Sequence, residues 1–210
     1  LLESFYEETV VAEAPRMEAG RPFSQQLGVN QFQLMGRKTL LEFDPSCDYE
    51  KLTKLLIQEM LASSELALVL TNRGSPVHIA LANQARTKFL CLTSTISYPK
   101  EGSSDQEMLL PQNDPSIILG AIDKALRAKP HSELAVVFDN LSHFITALGI
   151  EKTYEFIIYS LELLSRPNIT ALYLLNSSAH DLRIVSAIRI LFAAQLTYDK
   201  QGLRIVKTII

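Results

Sequence analysis

Short continuous runs of apolar residues alternate along the chain with segments in which apolar residues recur every three or four positions. Continuous runs are typical of strands in a parallel sheet, because helices cover both faces of such a sheet. The recurring segments predict amphipathic helices between the strands. Five strands are predicted in this way, at 39–43, 66–70, 88–93, 133–139 and 170–175.

Cap residues and glycine mark where the predicted helices begin and end. Ser75-Pro76 and Asp114-Pro115 each combine an N-cap side chain with a proline suited to the first helical turn. Gly149 separates helical patterns at 141–148 and 151–165. The cluster Asn176-Ser177-Ser178 predicts a helix that continues to Phe192.

The order of these elements predicts the fold class. Alternating strands and helices require a mostly parallel sheet with helices on both faces. Two further runs, at 194–198 and 203–209, are separated by a turn ending in Gly202 and predict an antiparallel hairpin. We therefore expect a three-layer, doubly wound α/β fold with a C-terminal hairpin. Near the start, two short extended runs are predicted around Gly36.

The chain is predicted to form one domain with an N-terminal extension. Residues 1–30 are rich in glutamate, proline and glycine and are predicted to be a linker or docking segment, with one short amphipathic helix over 1–10. Residues 31–210 form the domain. Within it, 94–114 is predicted to be a functional or mobile loop, whose Met108, Leu109 and Leu110 either pack on the domain or contact a partner.

Charge and composition limit the classes of partner. The formal net charge is −3, which disfavours binding to nucleic acid or anionic lipid through electrostatic attraction alone. Two cysteines are too few for a disulfide scaffold and favour a reducing, cytoplasmic compartment. No apolar run reaches the roughly 18 residues that span a bilayer. Because the chain begins with Leu1, we expect a membrane or sensor segment upstream as an alternative tether.

Polar residues that follow the strands are the candidate site, because ligands of open α/β sheets collect at the carboxyl ends of the strands. They include Ser46, Arg73, Asp139 and Asn140. The run VVFD that ends at Asp139 resembles a Walker B strand, whose carboxylate holds Mg²⁺. The alternative is that Asp139 caps the helix that begins near residue 141. Arg73 is the best candidate for binding an anion.

A conventional triphosphate site is not present in the sequence. Such a site needs G-x-x-x-x-G-K-[ST] between a strand and a helix, and no segment matches. The segment 36–39 resembles only the end of that motif and precedes a strand. The turn at the correct place, 44–48, carries Asp44 and Asp48 instead of glycine and lysine. Like charges about 4 Å apart cost roughly 4 kcal/mol at an effective dielectric constant of 20, so this turn should repel a triphosphate.

Other reactive residues give weaker indications. Cys47 near a helix N-terminus could be a nucleophile, but a small residue in a first turn is the simpler interpretation. His180 beside Asp181 lacks the G-x-S-x-G motif of a hydrolase. The spacing of His78, His131 and His143 matches no metal-binding motif.

The order of segments from 133 to 210 resembles the second half of the RecA/KaiC-like ATPase core. More narrowly, the segments DNLS, GIEKTYEF, LLNSSAHD, RGSPVH and LLPQNDPS resemble an archaeal family of undefined role, whose members are related to KaiC and lack the P-loop. The resemblance covers about 31–210 and implies a RecA-type sheet. It implies a Walker B position only at Asp139, while Thr71 and Asn72 stand where ATPases carry a glutamate. Residues 31–210 are thus interpreted as a RecA/KaiC-like domain with a degenerate nucleotide site.

Three functions are compatible with this resemblance. The first is a non-catalytic regulatory or scaffold module that acts through a protein partner or self-association and needs no cofactor. The second is a nucleotide sensor or atypical NTPase that uses Asp139 and Arg73 with ATP and Mg²⁺. The third is a DNA-binding RecA relative, which the net charge disfavours.

Overall fold

Nine strands form one sheet in the computed structural model, which describes residues 21–64 and 66–207. The helix predicted over 1–10 lies outside the described residues. In chain order the strands are β1 Lys38–Phe43, β2 Leu66–Asn72, β3 Thr87–Thr93, β4 Lys100–Glu101, β5 Glu107–Pro111, β6 Leu134–Phe138, β7 Ile169–Leu175, β8 Ala194–Asp199 and β9 Gly202–Lys207.

Eight α-helices are present in the described residues, two before β1 and six between strands. They are α1 Phe23–Gln26, α2 Gln31–Leu34, α3 Tyr49–Met60, α4 Pro76–Leu81, α5 Pro115–Ala128, α6 Leu141–Leu148, α7 Ile150–Leu163 and α8 Leu182–Arg189. Two of the predicted caps are confirmed, since the side chain of Ser75 accepts from the N–H of His78 and that of Asp114 accepts from Ser116 and Ile117. None of the helices in the described ranges is long and apolar enough to cross a bilayer.

The sheet has the mostly parallel, doubly wound topology that the sequence predicts. Its strand order is β4-β5-β3-β2-β6-β7-β1-β8-β9. Seven strands from β5 to β8 are parallel, and the antiparallel pairs are the predicted C-terminal hairpin β8–β9 and the short pair β4–β5. The first strand, β1, therefore lies between two strands from the C-terminal part of the chain.

Helices cover both faces of the sheet, which makes three layers. Residues of α1, α3 and α4 pack with one face of the strands in one apolar core, and residues of α5, α6, α7 and α8 pack with the other. Neighbouring residues of β1 show this division, because Leu41 belongs to the first core and Leu40 to the second. The first core also includes Phe23, which is buried although it precedes the predicted domain boundary.

One charged pair connects the sheet to a helix that covers it. Glu42 of β1 is buried, and its carboxylate accepts hydrogen bonds from Nε and Nη2 of Arg189 at 2.6 and 2.7 Å. Arg189 is the last residue of α8, so this bidentate pair joins the first strand to the last α-helix.

The extended run predicted before Gly36 is wrong, because Gln31–Leu34 is a helix. A capping box favours this helix: the side chain of Asn30 accepts from the N–H of Gln33, and the side chain of Gln33 accepts from the N–H of Asn30. Gly36 has φ of 72°, and a Cβ there would lie 2.5 Å from the carbonyl oxygen of Pro167. A glycine is therefore required where α2 turns into β1.

The prediction of a loop over 94–114 is also wrong, since the segment contains β4 and β5. Strand β5 pairs in parallel with β3, with Met108 opposite Leu90 and Leu110 opposite Leu92. Leu110 is fully buried, so this apolar segment packs on the domain. The strand is short, and the turn residues on its N-terminal side hide it from a reading of hydrophobic pattern.

Candidate functional site

The carboxyl ends of the parallel strands meet at one edge of the sheet, and two groups of polar residues lie there. The acidic turn is the segment 44–48 that connects β1 to α3. The polar network lies at the ends of β2, β5 and β6 and consists of six side chains in two hydrogen-bonded groups, namely Thr71, Ser75 and Asp139, and Asn72, Gln112 and His143.

The acidic turn uses its own groups to bind its backbone amides. The N–H of Ser46 donates to Oδ1 of Asp44 at 2.8 Å, and the N–H of Cys47 donates to the carbonyl of Asp44 at 3.0 Å. The N–H of Asp44 donates to the carbonyl of Tyr198 on β8, and the N–H of Tyr49 donates to the carbonyl of Cys47. These four amides are therefore engaged within the protein.

The side chains of the acidic turn are also paired locally. Hydrogen bonds from Ser46 lower the pKa of Asp44, and the charge of Lys200 lowers it further. The ammonium group of Lys51 pairs with the carboxylate of Asp48. Burial and then the charge of Asp44 raise the pKa of Cys47. A raised pKa reduces the thiolate fraction, so the environment of Cys47 is unlike that of an activated nucleophile.

Asp139 lies just past the end of β6 and is 3% exposed. Its Oδ2 accepts hydrogen bonds from Oγ1 of Thr71 at 2.6 Å and Oγ of Ser75 at 3.0 Å. Its Oδ1 is buried and has no hydrogen-bond partner among the described residues. Burial raises the pKa of this carboxyl, and the two hydroxyl donors offset only part of that effect.

The residue that caps α6 is Asn140, and the interpretation of Asp139 as the cap is wrong. Oδ1 of Asn140 accepts from the N–H of His143 at 2.9 Å. Both residue types favour this position, so the sequence could not decide which of two neighbours occupies it. The carboxylate of Asp139 points instead to Thr71 and Ser75.

The ring of His143 connects the ends of β2 and β5. Its Nε2 lies 3.0 Å from Nδ2 of Asn72 and 3.1 Å from Oε1 of Gln112. Burial lowers the pKa of His143, which favours the neutral ring. In a neutral ring Nε2 either accepts from Asn72 or donates to Gln112, so the tautomer determines which contact is a hydrogen bond.

Arg73 does not lie with Asp139 but reaches toward the β4–β5 side of the domain. Its guanidinium donates to Oγ of Ser103, and its Nε lies 3.9 Å from Oε2 of Glu107. Its side chain is 54% exposed. The structure therefore places the four predicted site residues at three locations. Asp139 and Asn140 are neighbours after β6, Ser46 is in the acidic turn, and Arg73 is bound to Ser103.

Sequence reasoning missed most of the polar network. The signal for Ser75 was its position as an N-cap, which concealed that its hydroxyl also donates to Asp139. The sequence indicates Thr71 only as a replacement for a glutamate, and it indicates Asn72 also as a polar residue at the end of a strand. Gln112 and His143 are separated by 31 residues, and only the pairing of β5 with β3 brings their elements to the same edge.

Comparison with known proteins shows a similarity of fold. No family model and no curated protein matches the chain. Among solved structures, the KaiC-like protein PH0186 from the hyperthermophilic archaeon Pyrococcus horikoshii superimposes with a TM-score of 0.61 at 12% identity, over 93% of this chain and 89% of that chain. The fold is KaiC-like.

A second solved structure has a similar fold. It is protein PH0250 of Pyrococcus horikoshii, with a TM-score of 0.65 at 13% identity over 85% of this chain and 91% of that chain. Both alignments extend over most of both chains, so they support the KaiC/RecA-like topology of the whole domain. The narrower archaeal family named from sequence stays a prediction.

Proposed function

We propose that this chain is a RecA/KaiC-like regulatory or scaffold domain that acts through protein contacts and does not hydrolyse ATP. The observation that supports this most directly is the acidic turn, whose amides donate to Asp44 and to neighbouring carbonyls. A phosphate-binding loop needs free backbone N–H groups that converge on the ligand. Here a carboxylate of the protein already takes the place of an anionic ligand.

The charges of the turn support the same proposal. Asp44 and Asp48 add negative charge at the end of β1, and Lys51 is paired with Asp48. A triphosphate would have to displace these contacts and approach two carboxylates. The residues of the acidic turn therefore do not fit a triphosphate, which supports the proposed likeness to KaiC relatives that lack the P-loop.

The last strand supports a role in protein contact. Strand β9 is at the end of the sheet in the described part of the chain, with β8 on one side only. Ile205 and Val206 on this strand are 42% and 56% exposed. An exposed apolar edge strand can pair with another chain through its backbone groups. We therefore propose self-association as the first form of contact to test.

The test of catalysis is ATP turnover by the purified full chain with Mg²⁺. We expect a rate equal to that of the buffer blank, because the acidic turn leaves no amide cradle for the phosphates. Asp139→Asn is the informative variant and Asp199→Asn, on the β8–β9 turn, is its control. Turnover that depends on Mg²⁺ and is lost only in Asp139→Asn would overturn the proposal.

The test of self-association is sedimentation over a wide range of protein concentration. We expect a concentration-dependent oligomer that Val206→Lys weakens by about tenfold or more, because a charged residue on an edge strand opposes strand pairing. Ile79→Lys is the control, since Ile79 is equally apolar and 67% exposed but lies on α4. A monomer at every concentration would overturn self-association and leave only a different protein as the partner.

One observation favours a second candidate, a nucleotide sensor or atypical NTPase centred on Asp139. A buried carboxylate oxygen without a hydrogen-bond partner is costly, and a bound Mg²⁺ or ligand donor would satisfy Oδ1. This candidate predicts that ATP, ADP or a cyclic nucleotide at millimolar concentration raises the melting temperature. The increase should disappear in Asp139→Asn. No shift with any of the three nucleotides removes this candidate.

A further inference from the structure

Three potential metal ligands from separate parts of the sequence meet between α4 and the outer strands. They are His78 of α4, Cys91 of β3 and Glu107 of β5. Their ligand atoms all lie within 4.8 Å of one another. Cys91 is fully buried, and the side chains of His78 and Glu107 are 13% and 12% exposed. The cluster is thus nearly enclosed, with its imidazole and carboxylate closest to solvent.

The sheet register brings these groups together. Cys91 pairs with Leu109 and Phe89 pairs with Glu107, so the thiol and the carboxylate project from the same face of neighbouring strands. Helix α4 covers that face, and the His78 ring contacts the Phe89 ring edge-on with centroids 5.0 Å apart. Three elements of the domain therefore fix the three ligands, rather than one flexible loop.

We propose that His78, Cys91 and Glu107 form a binding site for one divalent transition-metal ion of the zinc class. An imidazole nitrogen, a thiolate and a carboxylate oxygen are the three ligand types that Zn²⁺ uses in proteins. Three protein ligands leave the fourth tetrahedral position to water or to an external ligand. This site is independent of the proposed regulatory function and of the polar network around Asp139.

The distances require only a small contraction. Ligand atoms around a tetrahedral Zn²⁺ lie about 3.5 Å apart, given bonds of roughly 2.0 to 2.3 Å. Nε2 of His78 and Oε1 of Glu107 are already 3.2 Å apart. The Sγ of Cys91 has to approach by at most about 1.3 Å, which a rotation about its Cα–Cβ bond and a small shift of the strand can supply.

Neighbouring groups already orient the carboxylate. The N–H and hydroxyl of Ser103 donate to Oε2 of Glu107 at 3.2 and 3.0 Å, so Oε1 is the oxygen that faces the ring. Hydrogen bonds of this kind around a ligand increase metal affinity. When Nε2 binds the metal, the ring proton moves to Nδ1, and the long 3.4 Å contact from the N–H of Gly74 is given up.

The charges around the thiol also fit a cation. The thiol of Cys91 lies within 4.8 Å of the ligand oxygen of Glu107, and Cys91 is fully buried. A divalent ion provides the positive charge that ionises such a thiol. The resulting thiolate and carboxylate balance the charge of the ion, while Arg73, 3.9 Å from Oε2 of Glu107, has a half-exposed side chain that can turn to solvent.

The experiment is a metal titration of the full chain after removal of metal with a chelator. Zn²⁺ is added in competition with a chromophoric chelator, and Co²⁺ is added separately to report thiolate ligation by its near-ultraviolet charge-transfer band. We expect one ion per chain and a charge-transfer band with Co²⁺. Cys91→Ser should abolish the band, and His78→Gln and Glu107→Gln should weaken Zn²⁺ binding by at least about tenfold.

Matched controls come from the same chain. Cys47→Ser removes the other cysteine, which lies in the acidic turn, and His180→Gln removes a histidine outside the cluster; both should leave the affinity and the band unchanged. If Cys91→Ser does not fold, the band of the wild type and of Cys47→Ser still tests thiolate ligation. Less than one ion per chain, absence of the band, or equal binding by Glu107→Gln would overturn the site.

Discussion

The acidic turn and the polar network lie at the same edge of the sheet but differ in how their carboxylates are bound. In the acidic turn, the Asp44 carboxylate accepts from the N–H of Ser46 and the Asp48 carboxylate pairs with Lys51, so the contacts of both carboxylates are local. In the polar network, a buried carboxylate depends on hydroxyls from β2 and from the cap of α4. The amides of the acidic turn thus bind groups of the protein itself, whereas Asp139 keeps one oxygen without a hydrogen-bond partner among the described residues.

This difference should affect how much each region contributes to the free energy of unfolding. Charged groups in water are stabilised by solvent, whereas a buried charge depends on the few donors that reach it. Substitutions in the polar network should therefore change the free energy of unfolding far more than substitutions in the acidic turn. The two carboxylates should also respond to pH with opposite sign.

The largest effect is expected for Thr71→Val, which keeps the shape of the side chain and removes the 2.6 Å hydrogen bond to Asp139. Hydrogen bonds to charged groups contribute about 1.5–3 kcal/mol, so the free energy of unfolding at pH 7 should fall by about 2 kcal/mol. Urea denaturation measures it. Thr95→Val, at an exposed threonine, is the control. Equal losses for the two variants would contradict a special role for Thr71.

A stabilising effect of about 1–2 kcal/mol at pH 7 is expected for Asp139→Asn, because the variant removes a buried charge without a cationic partner. The pKa of Asp139 is raised by burial, so the folded wild type takes up a proton more readily than the unfolded chain. Wild-type stability attributable to this group is therefore present at acid pH and lost as pH rises through the folded pKa.

The pH dependence provides the check on Asp139→Asn. Its advantage over the wild type should shrink as pH falls from neutral toward the ordinary range of carboxyl groups. Urea denaturation at several pH values measures the difference between the two proteins. A difference in the free energy of unfolding that is the same at every pH, or a variant less stable than the wild type at pH 7, would contradict an unfavourably buried charge at Asp139.

The smallest effect is expected for Asp44→Ala. Asp44 is in the acidic turn, and Ser46 lowers its pKa through local hydrogen bonds. A group with a lowered pKa stabilises the fold at pH values above the usual carboxyl range. This stabilisation is lost as pH falls through the folded pKa, so its pH dependence has the opposite sign to that of Asp139. The midpoint of thermal unfolding should change little at pH 7. A loss as large as that of Thr71→Val would break the comparison between the two regions.

Hydrophobic pattern and cap chemistry were sufficient to predict the layers of the fold. Strand β6 and helix α5 carry strong local signals, namely a continuous apolar run and the pair Asp114-Pro115. The short elements were harder. The helix Gln31–Leu34 depends on a capping box that a strand-like composition conceals, and β5 is short and surrounded by turn residues.

Which residues meet in the candidate sites depends on contacts between distant parts of the chain. The local pattern of apolar and polar residues does not contain this information. The strand-end rule located Asp139, yet its donors come from positions 64 and 68 residues away. The His78, Cys91 and Glu107 cluster matches no motif because its members are spaced 13 and 16 residues apart on a helix and two strands. The register of β3 against β5 brings Cys91 and Glu107 together, and the packing of α4 on the same face adds His78.

The position of β1 has a consequence for synthesis of the chain. Its residues pair with β7 and β8, and Glu42 binds Arg189, so both of its neighbouring strands and the partner of its buried charge are encoded more than 120 positions later. While the ribosome is still producing the first half of the chain, neither of the two strands that pair with β1 has been synthesised. The segment of β1 therefore stays unpaired until the C-terminal third emerges. A stop codon placed before position 169 should therefore yield a product that chaperones retain instead of a smaller native protein.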